Sequence, residues 1–148
     1  GRSLVVTKKE RLEQLSRVRL FEGLNGADLR HIVNVSGVVH HEAGKTIIKE
    51  GDSGVGFELI LEGEVRVARK GRTVARLSAG DFFGEMALID EGPRTASIIA
   101  TSDVTTVGIA SWDFKPLVKN RPGMAWALLV HLTKRLRDEQ SAQDAARA

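Results

Sequence analysis

From Asp81 to Ser97 the chain reads Asp-Phe-Phe-Gly-Glu-Met-Ala-Leu-Ile-Asp-Glu-Gly-Pro-Arg-Thr-Ala-Ser. Gly84 stands at a strand-to-helix junction, and Glu85 follows it. One short apolar helical turn comes next, and a lone Arg94 then opens a strongly apolar strand, Thr95 to Ala100. A guanidinium entering such a strand is costly unless it meets a partner. Backbone N–H groups at a helix N-terminus beside a guanidinium make a site for a small anion, above all a phosphate. Glu85 then needs a neutral donor such as a sugar hydroxyl, or else Arg94 itself. A phosphate carried on a sugar satisfies all of these groups together. Plainer roles stand beside this one: a structural ion pair of Arg94 with Glu85 or Asp90, and Glu85 as an acid favoured by the helix dipole. Thr95 either bonds the ligand through its hydroxyl or is simply a β-branched strand residue.

The elements around this segment can be traced from spacing. Thr7-Lys8-Lys9-Glu10 has the pattern of a capping box, and Leu12, Leu15 and Val18 follow at helical intervals. Asn25 to Asp28 is a second helix start, with Leu29, Ile32 and Val33 on one face. Short β-rich runs then take over, at Val38–His41, Thr46–Lys49, Phe57–Leu61, Val65–Arg69, Thr73–Leu77, Thr95–Ala100 and Thr105–Ile109. Glycines at 44, 51, 54, 56, 63, 71 and 80 separate them. Evenly spaced short strands with turn signals indicate a sandwich or barrel, not a βαβ unit. The helical period returns after Ala110. Ser111 is placed to cap a short helix through Val118, in which Pro116 removes an internal hydrogen bond. Pro122 opens a longer helix with Ala125, Leu128, Leu129, Leu132 and Leu136 along one stripe. Periodicity fades from Ser141 to Ala148, where fraying is expected.

These patterns predict one domain over residues 1–148, of α+β class and mainly β. Helices span about 7–36, an antiparallel β-roll about 37–110, and further helices about 111–140. The chain has 148 residues, a net charge of +3 and no cysteine. That length is enough for a core without staples. The missing thiols exclude disulfides, thiolate catalysis and cysteine-based metal sites, and suit a cytoplasmic setting. The longest apolar run, Met124 to Val130, is far short of the roughly 20 residues that cross a bilayer. A charge of +3 does not by itself indicate nucleic-acid binding. Gly44-Lys45-Thr46 imitates a Walker A tail, but Val39 stands where its first glycine belongs. His40 and His41 are adjacent in a strand and face opposite ways, so no metal site is expected from them. No nucleophile motif is present, and a non-catalytic protein without a cofactor is expected.

The Asp81–Ser97 segment resembles the phosphate-binding cassette of the cyclic nucleotide-binding domain. That module occurs in catabolite-activator regulators, kinase regulatory subunits and cyclic-nucleotide-gated channels. Phe83-Gly84-Glu85, Ala87-Leu88 and Pro93-Arg94-Thr95-Ala96 fill every fixed position of the pattern. Further likeness lies in Leu20-Phe21-Glu22-Gly23-Leu24, Glu50-Gly51-Asp52-Ser53-Gly54 and Leu61-Glu62-Gly63-Glu64-Val65, so that it covers about Leu15 to Arg137. The resemblance implies a double-stranded jelly-roll with a short helix in the cassette, and a cyclic nucleotide as ligand, cAMP favoured over cGMP. It implies that Arg94 and the backbone of Gly84, Met86 and Ala87 hold the cyclic phosphate, with Thr95 assisting, and that Glu85 holds the ribose 2′-hydroxyl. Val67, Val74, Leu77, Phe83 and Ala96 would line the sugar and purine, while also serving as ordinary core. Arg135 on the last helix would stack on the base, with His131 and Lys134 as substitutes. Closure of that helix would signal to a fused or partner effector, and a homodimer is possible in such a family. Two other readings are a fragment of a DNA-binding regulator and a degenerate roll used only for protein docking. No recognition helix follows the roll, so direct nucleic-acid contact is not expected from this chain.

Overall fold

The computed structural model describes residues 7–53, 56–84 and 93–147. Helix α1 (Lys8–Ser16) starts where the Thr7 hydroxyl accepts the Glu10 N–H, at 3.1 Å. A 3-10 turn (Arg19–Phe21) leads to α2 (Gly26–Val35), capped by the Asn25 side chain on the Asp28 N–H at 2.9 Å. Among the described residues eight strands follow: β1 (Gly37–His41), β2 (Thr46–Ile48), β3 (Gly56–Glu62), β4 (Val65–Arg69), β5 (Arg72–Leu77), β6 (Phe82–Phe83), β7 (Ser97–Ala100) and β8 (Val104–Ala110). Helices α3 (Ser111–Asn120) and α4 (Pro122–Arg147) end the chain.

The strands form two four-stranded antiparallel sheets, ordered β1-β8-β3-β6 and β2-β7-β4-β5. Strand alternation sorts the core into two parts. Phe57 and Leu59 of β3, with Val107 and Ile109 of β8, turn outward to meet Leu15, Phe21, Ile32, Phe114, Met124 and Leu128 of the helices. Ile60 turns the other way, to Val65, Val67, Leu77, Phe83, Ile98 and Val104 between the sheets. Aromatic contacts seat the last two helices. The Phe57 and Phe114 ring centroids lie 4.1 Å apart, and His131 of α4 stacks on Phe82 at 3.8 Å.

Several expectations are corrected. The strand expected from Thr95 begins at Ser97, because Thr95 and Ala96 form a bend. The two-residue β6 is too short for a period-2 signal. Helix α4 continues to Arg147 and does not end near residue 140. Its expected apolar stripe divides: Leu128 is buried, whereas Leu129 and Leu136 are exposed. The five stripe residues cover two adjacent faces of α4, and only one face meets the body. Met124 supplies the buried contact at its start.

Candidate functional site

Arg94 is half-buried, and the turn at Gly51–Asp52 fixes its backbone from both sides. The Arg94 N–H donates to the Asp52 carbonyl at 2.7 Å, and the Gly51 N–H donates to the Arg94 carbonyl at 2.8 Å. Its guanidinium points into the protein: Nη1 donates to the Gly84 carbonyl at 3.0 Å and Nη2 to the Gly56 carbonyl at 2.8 Å. Two neutral acceptors from different chain segments therefore set the plane of the fork.

Gly84 is required here for two reasons. Its φ is +90°, a left-handed conformation that side chains resist. A Cβ on it would meet the Gly56 carbonyl oxygen at 2.8 Å and Arg94 Nη1 at 2.9 Å. The glycine thus lets the strand end and the guanidinium approach each other. Glu85, Met86 and Ala87 lie outside the described residues, as does Asp90, the other carboxylate considered for an ion pair.

The five residues expected to line the sugar and purine fall in one core cluster. Val67 of β4, Leu77 of β5, Phe83 of β6 and Ala96 are all buried in the inter-sheet cluster, with Val74 packed against it. Register explains this: Val67 lies opposite Ala75 and Ile98, so one sheet face collects side chains from β4, β5 and β7. Thr95 is exposed, and its carbonyl accepts the Arg69 Nε–H at 3.0 Å. Arg135 is half-buried on α4, which packs along β5. Of its two substitutes, His131 is committed to the Phe82 stack and Lys134 is exposed.

A cleft of about 400 Å³ opens beside Arg94, lined also by Lys49, Asp52, Ser53, Gly56 and Glu58. None of the five wall residues lines it. The histidine pair divides as strand geometry requires. His41 turns to Glu58, with Nε2 2.9 Å from Oε1, while exposed His40 places Nδ1 3.0 Å from the Thr105 hydroxyl. No cluster of potential metal ligands occurs among the described residues.

Sequence reasoning missed Arg69, Glu139 and the Gly51–Asp52 clamp. The clamp was legible only as a turn. Arg69 and Glu139 lie 70 positions apart, and no local pattern could pair them.

The pattern of the cyclic nucleotide-binding domain matches residues 38–121. The chain belongs to this family. It is 38% identical over 100 residues to a cyclic AMP receptor protein of Thermus thermophilus, covering 64% of this chain and 46% of that one. It is 37% identical over 106 residues to the cAMP-dependent protein kinase regulatory subunit of Aspergillus niger, covering 70% and 26%. The chain thus spans about half of the first relative and about a quarter of the second. Its fold superposes with a TM-score of 0.80, at 20% identity, on the regulatory subunit of a cAMP-independent protein kinase A from Trypanosoma brucei, covering 90% of this chain and 49% of that one. The mainly β fold with flanking helices is therefore the jelly-roll of this family. No described helix is long and apolar enough to cross a membrane.

Proposed function

We propose that this domain is a non-catalytic, cytoplasmic sensor that binds a cyclic nucleotide, cAMP in preference to cGMP. One observation carries the reading. The Arg94 guanidinium donates to the Gly84 and Gly56 carbonyls, while Phe83 and Ala96, close in sequence to those residues, share a buried apolar cluster with Val67, Val74 and Leu77. That arrangement suits a singly charged phosphodiester joined to a sugar and a flat base. In this reading Arg94 neutralises the phosphate, with backbone N–H groups of Gly84, Met86 and Ala87 and the Thr95 hydroxyl beside it. Glu85 accepts from the ribose, and Arg135 covers the base. The preference for cAMP is supported by the names of the relatives at 38% and 37% identity. The cAMP-independent neighbour shares the fold at only 20% identity, so fold alone does not choose the ligand.

Output follows from linkage. A ligand that binds more tightly when α4 is docked must pull α4 toward docking by the same free energy. The receiver is an effector fused to this domain or in contact with it. A second copy of the chain is a further partner. Trp126, Leu129, Val130 and Leu136 are 68, 56, 44 and 58% exposed, and along α4 Leu129 follows Trp126 by three residues and Leu136 follows Leu129 by seven. A seam of that spacing on a 26-residue helix fits a parallel, two-fold helix pair.

Thermal-shift titration against cAMP, cGMP and cyclic dinucleotides tests the ligand. Ligand at 100 times Kd should add about 2.7 kcal/mol of stability. Equal shifts for cAMP and cGMP would remove the preference, and no shift with any of them would remove the ligand reading and favour the docking scaffold.

A further inference from the structure

The molecule concentrates its positive charge in one hairpin. Residues 64–77, the β4–β5 hairpin, hold five cations and one anion, a net +4 against +3 for all 148 residues, so the remaining 134 residues sum to −1. The antiparallel register sets Arg66 opposite Arg76 and Arg69 opposite Arg72. Like charges directly across a strand pair destabilise a sheet. Part of this repulsion is answered, Arg69 by Glu139 at 2.9 Å and Arg76 by Glu64 at 3.6 Å. Among the described residues, Lys70, Arg72 and Arg147 form no ion pair.

The turn at the hairpin tip also works against its lysine. Lys70 has a φ of +52° and Gly71 one of +77°, the sign pattern of a two-residue type I′ turn. Asn, Asp and Gly adopt the first position readily, whereas a lysine there is strained. A hydrogen bond from the Lys70 N–H to Glu50 Oε1, 2.9 Å long, holds it in place. A cation thus occupies a position that the local backbone disfavours, in sequence between Arg69 and Arg72.

Lys70, Arg72 and Arg147 meet Arg69, Thr73 and Gln143 around a groove of about 310 Å³ between the hairpin tip and the last turns of α4. Val74 also lines the groove, but Arg94 does not. Thr73 accepts from Arg66 Nη1 at 3.3 Å, which leaves its own O–H able to donate. Guanidinium forks, an ammonium and neutral donors around one concavity match phosphate oxygens. Three unanswered cations exceed the charge of about −2 that one phosphate supplies. We propose that this groove is a second anion site, separate from Arg94, for a compact ligand carrying two or more linked phosphates.

Calorimetric titration with sodium tripolyphosphate at low salt tests this, with hexaglutamate as the comparison anion. One binding event is expected, tighter for tripolyphosphate than for hexaglutamate. Joint replacement Lys70→Gln, Arg72→Gln and Arg147→Gln should weaken it at least about tenfold. A control set of equal charge, Lys45→Gln, Lys119→Gln and Arg137→Gln, and separately Arg94→Ala, should each stay within about threefold. Lys70→Asn should raise Tm by roughly 2–4 °C by relieving the turn, while weakening tripolyphosphate. The proposal is overturned by absent binding, by equal losses in the control set, by tighter hexaglutamate binding, or by Arg94→Ala abolishing the signal. Unchanged binding in Lys70→Asn overturns it as well. Arg94→Ala keeps this result apart from the cyclic-nucleotide reading, because it should weaken cyclic-nucleotide binding and leave tripolyphosphate binding nearly unchanged.

Discussion

Arg69 on β4 and Glu139 on α4 are joined Nη1 to Oε2 at 2.9 Å, with side chains 35 and 16% exposed. The same guanidinium donates Nε–H to the carbonyl of Thr95, the residue after Arg94. One side chain therefore ties the end of the cassette segment to the helix proposed to carry the output. A half-exposed pair of this kind is worth about 0.2–1 kcal/mol. Glu139→Gln should accordingly speed amide exchange in the last turns of α4 by up to about fivefold and change global stability little. The swap Arg69→Glu with Glu139→Arg should recover part of the protection, as a double-mutant cycle would show. Exchange rates that do not move in Glu139→Gln would mean that the pair is incidental to helix docking.

The inward orientation of Arg94 gives the strongest expectation for binding. Deleting one partner of a buried, hydrogen-bonded charge pair costs roughly 2–5 kcal/mol. Arg94→Ala should weaken cyclic-nucleotide binding by about 30-fold to several thousand-fold. Arg94→Lys should recover only part of this, since an ammonium keeps the charge and loses the fork set by Gly84 and Gly56. Calorimetry placing Arg94→Ala within threefold of the parent would remove the phosphate assignment.

The roll was legible because its strands are short, β-rich and for the most part separated by glycine turns. Val65–Arg69 was read to the residue, and the helix starts at Thr7, Asn25 and Pro122 follow capping and proline rules. The core positions of Val67 and Leu77 were legible from periodicity, whereas a ligand-lining role for them comes only from the family pattern. What stayed hidden depends on distance in sequence. The Arg69–Glu139 tie, the clamp of Asp52 on Arg94 and the division of α4 into buried and exposed faces are all set by tertiary placement. Helical spacing alone could not say which of two adjacent apolar rows on α4 meets the roll.

That exposed row yields a prediction about assembly. Leu129 and Leu136 are seven residues apart on α4, and each leaves more than half its surface in water. If a second copy covers them, Leu129→Glu with Leu136→Glu should set like charges facing one another along the seam. Light scattering coupled to size exclusion should show a dimer for the parent and a monomer for the double variant. Both residues are absent from the buried core, so the fold should survive. A parent that is monomeric at high concentration would show that this face serves another partner or none.

The beginning of α4 is tied down by a pair that responds to acid. Arg121 donates Nε–H to Asp28 Oδ2 at 2.8 Å and Nη2–H to Oδ1 at 3.0 Å, and its carbonyl accepts the N–H groups of Met124 and Ala125. The side-chain hydrogen bonds from Arg121 hold the Asp28 carboxyl below its ordinary range, against the opposing effect of burial. A carboxyl whose folded pKa is depressed binds protons more readily in the unfolded chain. Its contribution to stability is therefore complete above the unfolded value and is lost as pH falls through the folded one. Asp28→Asn should lower Tm at pH 7, and the gap to the parent should close as pH falls below about 4. Faster amide exchange in the first turn of α4 should accompany both changes, because Arg121 is the residue through which α2 grips that helix. A Tm gap that persists unchanged to pH 3 would show that Asp28 acts by packing and not by charge.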